Sequence, residues 1–167
     1  LASPTPNTST FTAMAWAYNL RPDSAYRTLF YNGVGGVIGG MHFLTEPTSA
    51  LAGTYANTTF TSTGTALAAA SYTGWHHYAV VGSGGTFTLY VDGASIGSVT
   101  PTWPGTFAIA EIGGDSYGEG FAERLDDVAV WSRALTSTEI TDIYNAGTAG
   151  NPLSSLFPVA VVPDITG

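Results

Sequence analysis

From Thr86 to Val91 the chain alternates, with Phe87, Leu89 and Val91 on one face of an extended strand and Thr86, Thr88 and Tyr90 on the other. Asp92-Gly93 follows, a pair suited to the two positive-φ positions of a type I′ turn, and residues 94–99 return as the second arm of a hairpin. Similar short apolar runs, punctuated by glycine, recur at 11–18, 27–31, 37–44, 51–55, 75–81, 107–112 and 125–131. Nine strands with little between them predict an all-β antiparallel sandwich.

A single helix is predicted, and its end signals are unusually complete. Thr136, with Glu139 three residues on, makes a capping box, and Leu135 can staple onto Ile140. Ile140, Ile143 and Tyr144 share a face, and Gly147 occupies the expected left-handed position after the last turn. At about ten residues the helix is too short to stand alone and must lie on the sandwich as a lid or brace. The folded domain is therefore placed at residues 11–147. Residues 1–10, rich in Pro, Thr, Ser and Asn, form an extended N-terminal segment. Residues 148–167 form a Pro-containing tail with apolar stretches at 153–157 and 159–162, which is expected to add a strand to its own sheet or to a neighbouring subunit's.

Composition narrows the partners. Four Arg, no Lys and twelve acidic residues give a net charge of −8, which argues against nucleic acid and against an anionic membrane surface. No apolar stretch approaches the ~18 residues that a membrane helix needs, and the opening LASPTPNTST lacks the basic and apolar regions of a signal peptide. Without cysteine there is no disulfide and no thiolate site. Only 10% of residues are charged, so the surface must consist largely of Thr, Ser and Gly. Such a composition is common in extracellular and virion β proteins.

Taken in order, Phe11-Thr-Ala-Met-Ala-Trp16, Trp75-His-His-Tyr-Ala-Val-Val, Gly85-Thr-Phe-Thr-Leu-Tyr-Val-Asp-Gly93, Ile112-Gly-Gly-Asp115, Phe121 and Leu125-Asp-Asp-Val-Ala-Val-Trp-Ser-Arg-Ala-Leu135, with the helix ending Tyr144-Asn-Ala-Gly147, form a recognisable pattern. Over about residues 9–147 the chain resembles the laminin G-like branch of the concanavalin A-like jelly-roll superfamily. The resemblance implies two curved antiparallel sheets, ligand binding on a concave face or through rim loops, and in some members a bound Ca²⁺. Members usually open with a Phe-Asp-Gly strand upstream of the Phe11 strand, and here LASPTPNTS stands in its place. That removes part of the usual Ca²⁺ shell and vacates one sheet position, for which the apolar tail is the candidate occupant.

Three of the twelve acids, Glu123, Asp126 and Asp127, precede the last apolar run. Strict alternation puts Glu123 and Asp127 on one face with Cα atoms about 13 Å apart and turns Asp126 the other way. Neither the ~5–5.5 Å of a retaining glycosidase nor the ~6.5–9.5 Å of an inverting one is matched, and ERLDD lacks the Glu-x-Asp-x-x-Glu of the superfamily's glycosidases. A non-catalytic module is expected. Asp126 and Asp127 are the metal candidates, Ca²⁺ being completed by backbone carbonyls and Asp115. Otherwise one of them caps backbone amides while the other is solvated or pairs with Arg124 or Arg133.

His76 and His77 face opposite sides of a strand and cannot chelate one ion together; a structural histidine inside the sandwich is expected from the resemblance. Trp16, Trp75 and Trp131 lie in strands and are expected in the core. Trp103 in the loop at 101–105 and Asp115 and Tyr117 in the loop at 113–120 are the candidate ligand-binding residues, since sugar C–H faces stack on exposed rings beside polar partners. Two functions follow. In one, the domain is a structural or assembly protein of a virion or cell surface, such as a phage capsid decoration or tail protein with an adhesion role, joined to other subunits through its tail. In the other, it is a lectin-like module that recognises glycans through its rim loops. Both place it outside the cell or on a virion.

Overall fold

The computed structural model describes residues 5, 7–20, 27–32, 39–44, 51–56, 59–68, 73–101, 106–114, 118 and 120–157. Ten strands are present among them: β1 (Phe11–Leu20), β2 (Arg27–Asn32), β3 (Gly39–Leu44), β4 (Leu51–Ala56), β5 (Thr59–Ala66), β6 (Trp75–Ser83), β7 (Thr86–Val91), β8 (Ala94–Val99), β9 (Glu111–Ile112) and β10 (Ala122–Trp131). Helix α1 (Ser137–Thr148) and a 3₁₀ turn at Leu153–Ser155 follow. All strand pairs are antiparallel, in sheets ordered β10-β1-β6-β7-β8 and β5-β4-β3-β2-β9. This is the expected concanavalin A-like jelly-roll sandwich.

The interior shows why alternation was a sound guide. Phe11, Ala13, Ala15 and Ala17 of β1, Tyr78 and Val80 of β6, and Phe87, Leu89 and Val91 of β7 point between the sheets. The alanines leave room for aromatic rings: Phe11 stacks on Phe107 at 5.7 Å and meets Phe87 edge-on at 5.5 Å, and Tyr78 meets Phe121 edge-on at 5.4 Å. The hairpin turn is as expected, with positive φ at both Asp92 (51°) and Gly93 (76°).

Two strand expectations change. Thr59–Ala66 is a strand that the polarity of TFTSTGTA concealed; it lies at a sheet edge, where a Thr-rich strand needs no apolar face. Conversely, 107–112 is not one strand. Phe107 bridges to Thr8, Thr5 and Ile109 exchange hydrogen bonds, and only Glu111–Ile112 joins the sheet, against β2.

A second apolar cluster lies on the outer face of the first sheet. Met14, Ala79, Val81 and Tyr90 meet Leu135, Ile140 and Ile143, with Ala129, Trp131, Leu153 and Phe157 packed around them. The capping box forms as expected: the Glu139 N–H donates to Thr136 Oγ1, and the Thr136 N–H donates to the Glu139 carboxylate. Gly147 departs from expectation, since it lies within the helix. The chain leaves the helix through Gly150 (φ 74°), whose N–H donates to Gly147 O while the Asn151 N–H donates to Ala146 O. These two bonds make a Schellman motif.

Candidate functional site

The register of β1 against its two neighbours assembles a band of polar and aromatic side chains on the outer face. Trp16 lies opposite His77 of β6 and Asp126 of β10, while Tyr18 lies opposite Trp75 and Arg124. The Tyr18 and Trp75 rings are 5.5 Å apart, and the Arg124 guanidinium stands 5.3 Å from the Tyr18 ring centre.

Helix α1 covers only part of this band. Its Tyr144 stacks on Trp16 at 5.8 Å, and Gly147 comes so close to the indole that a Cβ would lie 2.6 Å from it. The last turn therefore ends against Trp16 and leaves Trp75 uncovered. Trp75 is 42% exposed, the most exposed large apolar side chain among the described residues. The expectation of a core tryptophan fails here because Trp75 opens its strand beyond the end of the helix. Trp16 and Trp131 are partly buried, by the helix and the chain that follows it.

A β-bulge brings both carboxylates to this place. Trp16 pairs with Asp126 but Met14 pairs with Ala129, so Asp127 and Val128 together face Ala15. Asp127 takes a left-handed conformation (φ 44°), and its N–H donates to Asp126 Oδ1 at 2.8 Å. Strict alternation would separate Asp126 from Asp127; the extra residue puts both on the wall of one cleft. Trp16, Trp75, Asp126, Asp127, Gly147 and Thr148 line it, enclosing about 410 Å³. Neither acid pairs with Arg133, which grips Glu139 with both terminal guanidinium nitrogens (3.0 and 2.6 Å) and holds that carboxyl's pKa down at about 2. Arg124 is engaged by Tyr18.

Beneath the cleft, His77 is fully buried between Trp16 and Tyr144. Its Nε2–H donates to Met14 Sδ (3.1 Å), and Nδ1 has no partner among the described residues. Burial pulls its pKa down to about 4, against a smaller upward pull from Asp92. The histidine is structural but sits between sheet and helix rather than inside the sandwich. His76 points the other way, with Nδ1 2.7 Å from Asp92 Oδ2, whose Oδ1 accepts the His77 N–H.

The site thus joins Asp126 and Asp127 to Trp75, expected in the core, to Arg124, expected only as an ion-pair partner of the aspartates, and to Tyr18, for which no role was expected. The available signal was the position of Trp75 at the first residue of its strand. Trp103, Asp115 and Tyr117 lie outside the described residues. Among the described residues, no three His, Asp or Glu side chains gather as a metal site, and no helix is long and apolar enough to cross a membrane.

A family profile described as the concanavalin A-like lectin/glucanases superfamily matches residues 1–141. The chain belongs to that superfamily. The match begins at residue 1 and ends within α1, and no curated protein matches in sequence. Among solved members of this fold, a native heptameric SAP-like pentraxin from Limulus polyphemus is 19% identical (TM-score 0.55), with 85% of this chain and 72% of that one covered. Domain 4 of AbnA, an extracellular arabinanase from Geobacillus stearothermophilus solved in complex with arabinotriose, is 17% identical (TM-score 0.61; 83% and 70% covered). A putative carbohydrate binding protein from Bacteroides ovatus is 19% identical (TM-score 0.58), with 81% of this chain but only 41% of that one covered. At such identities the likeness is one of fold.

Proposed function

We propose that the domain is a non-catalytic recognition module that binds glycans in the cleft at the C-terminal end of α1. The observation that carries this reading is the exposed Trp75 ring, set against Tyr18 at the mouth of a cleft whose other wall holds two carboxylates. A sugar needs this pairing, with an aromatic face for its C–H groups and acceptors for its hydroxyls. The cleft volume falls within the about 300–1,000 Å³ usual for small-molecule sites. The arabinotriose complex of the arabinanase domain and the putative carbohydrate binding protein named above, both alike in fold, support the same reading. Asp126 already commits one oxygen to the Asp127 N–H, which suits a binding wall better than an acid–base pair. The setting in which such a site meets glycans is outside the cell.

Trp103, Asp115 and Tyr117 are retained as a competing rim-loop location. A glycan array run on wild type, Trp75→Ala, Trp103→Ala and Tyr117→Ala separates the two: loss on Trp75→Ala alone assigns the cleft, and loss on the loop variants alone moves the site to the rim. Ca²⁺ belongs to the proposal only at Asp126 and Asp127, completed by Asp115, carbonyls and water to the six to eight oxygens it takes. A chelator-sensitive melting temperature would assign the ion there, and an insensitive one would remove it.

One observation favours the second reading, a structural block of a virion or cell-surface assembly such as a phage decoration or tail protein. Val128 and Val130, 41% and 40% exposed, lie on the edge strand β10, and an apolar edge is where another chain adds a strand. Self-association that Val128→Lys abolishes would support it; a monomer at all concentrations would count against it.

A further inference from the structure

The ladder between β1 and β6 ends at Tyr18 and Trp75, and a side chain holds the backbone just before the tryptophan. The Asn19 N–H donates to Gly74 O at 3.0 Å, and the Gly74 N–H donates to Asn19 Oδ1 at 2.8 Å. A regular antiparallel pair would use two backbone carbonyls for these bonds. Here Asn19 takes a left-handed conformation (φ 52°), and its carboxamide supplies the second acceptor. Asparagine suits both tasks, since it tolerates positive φ and its short side chain reaches nearby backbone. Gly74 also has positive φ (91°), so the turn into β6 needs this glycine.

A second set of contacts holds the other side of Trp75. Asp92 Oδ1 accepts the His77 N–H at 3.0 Å, while Oδ2 lies 2.7 Å from His76 Nδ1 and the far nitrogen of that ring, Nε2, lies 3.0 Å from Thr73 O. Residues 73, 74, 76 and 77 are therefore each tied to a named partner. The indole they frame is 42% exposed and leans on Tyr18, which carries the Arg124 guanidinium. A ring so exposed is fixed less by packing than by the backbone that carries it.

We propose that Asn19 is a positioning residue of the glycan cleft, whose side-chain bond to Gly74 holds the Trp75 indole in its binding pose before a sugar arrives. The proposal rests on the reading of the cleft as a glycan site and adds to it the residue that preorganises its aromatic face. Asn19 is not among the residues that line the cleft, so it acts through Trp75. A side chain left free until binding must be ordered by the ligand, which lowers affinity about two- to tenfold. A ring held in place beforehand avoids that loss.

The full chain has four tryptophans, and labelling with fluorotryptophan gives each its own fluorine NMR line, that of Trp75 being the one missing from Trp75→Phe. Asn19→Gly keeps the positive φ but removes the acceptor. Its Trp75 line is expected to move toward the unfolded-chain position while the Trp16 and Trp131 lines stay. Asn19→Asp keeps an acceptor and is expected to restore the wild-type line. Gly74→Ala strains the same turn independently of Asn19, because a Cβ there meets open space but φ is 91°; it should move the Trp75 line too, and decides the matter if Asn19→Gly does not fold. An unmoved Trp75 line, or one displaced equally by Asn19→Asp, would overturn the proposal.

Affinity separates this proposal from the glycan reading. Titrated with the glycan that gives the strongest array signal, Asn19→Gly is expected to bind about two- to tenfold more weakly than wild type, and Asn19→Asp like wild type. Binding lost in Trp75→Ala but unchanged in Asn19→Gly overturns the role of Asn19 and leaves the glycan reading standing. Binding unchanged in Trp75→Ala overturns the glycan reading, and with it any role of Asn19 in binding.

Discussion

Gly147 and Trp16 are in closest approach at the end of α1: a Cβ on the glycine would stand 2.6 Å from the indole. The glycine is needed there for proximity, since the chain turns left-handed only at Gly150. Helix propensity alone would make Gly147→Ala stabilising by about 1 kcal/mol. The indole is held between Tyr144 and His77 and has little room to retreat, so overpacking at about 1–3 kcal/mol outweighs that gain. Urea denaturation is expected to show a net loss, and a more stable variant would mean that the ring moves freely.

His77 makes stability pH-dependent in a defined window. Its folded pKa, about 4, lies below the ordinary 6.5, so between these values the unfolded chain binds more protons and stability rises with pH. The contribution is fully present above pH 6.5 and is lost as pH falls toward 4, on the order of 3 kcal/mol in all. The groups facing the ring are Met14, Trp16 and Tyr144, with Asp92 opposing the shift more weakly. Denaturant melts at pH 7, 5.5 and 4 check this, and His77→Gln is expected to flatten the dependence across that window. Glu139, held at about 2 against an ordinary 4.5, adds its own loss as pH falls from about 4.5 toward 2, which begins to overlap the bottom of this window.

Thr12 clamps the crossing from β10 to α1. Fully buried, its hydroxyl donates to Arg133 O and accepts the Leu135 N–H, both at 2.9 Å. Thr12→Val keeps the shape but orphans a backbone donor and acceptor, a loss of about 2–4 kcal/mol. Thr136→Ala, which removes the exposed N-cap, is expected to cost only ~1 kcal/mol. Chemical melts of the two variants should rank in that order.

What was legible in the sequence follows from how each feature is encoded. The core strands are written as alternation, and the capping box and Asp92-Gly93 turn as local chemistry. β5 was hidden because a Thr-rich edge strand has no apolar face to betray it. The bulge at Asp127 adds one residue with no composition of its own, yet it decides which side each following residue faces. The exposure of Trp75 depends on where α1 stops, which the close approach of Gly147 to Trp16 sets, and that contact joins positions far apart in the chain.

The cleft is tested most directly by titrating wild type and Trp75→Ala with the glycan that gives the strongest array signal, after confirming that their melting curves coincide. Binding is expected to weaken about tenfold or more in the variant, ~1.4 kcal/mol at least. Undiminished affinity in a folded Trp75→Ala protein would contradict the assignment of the site.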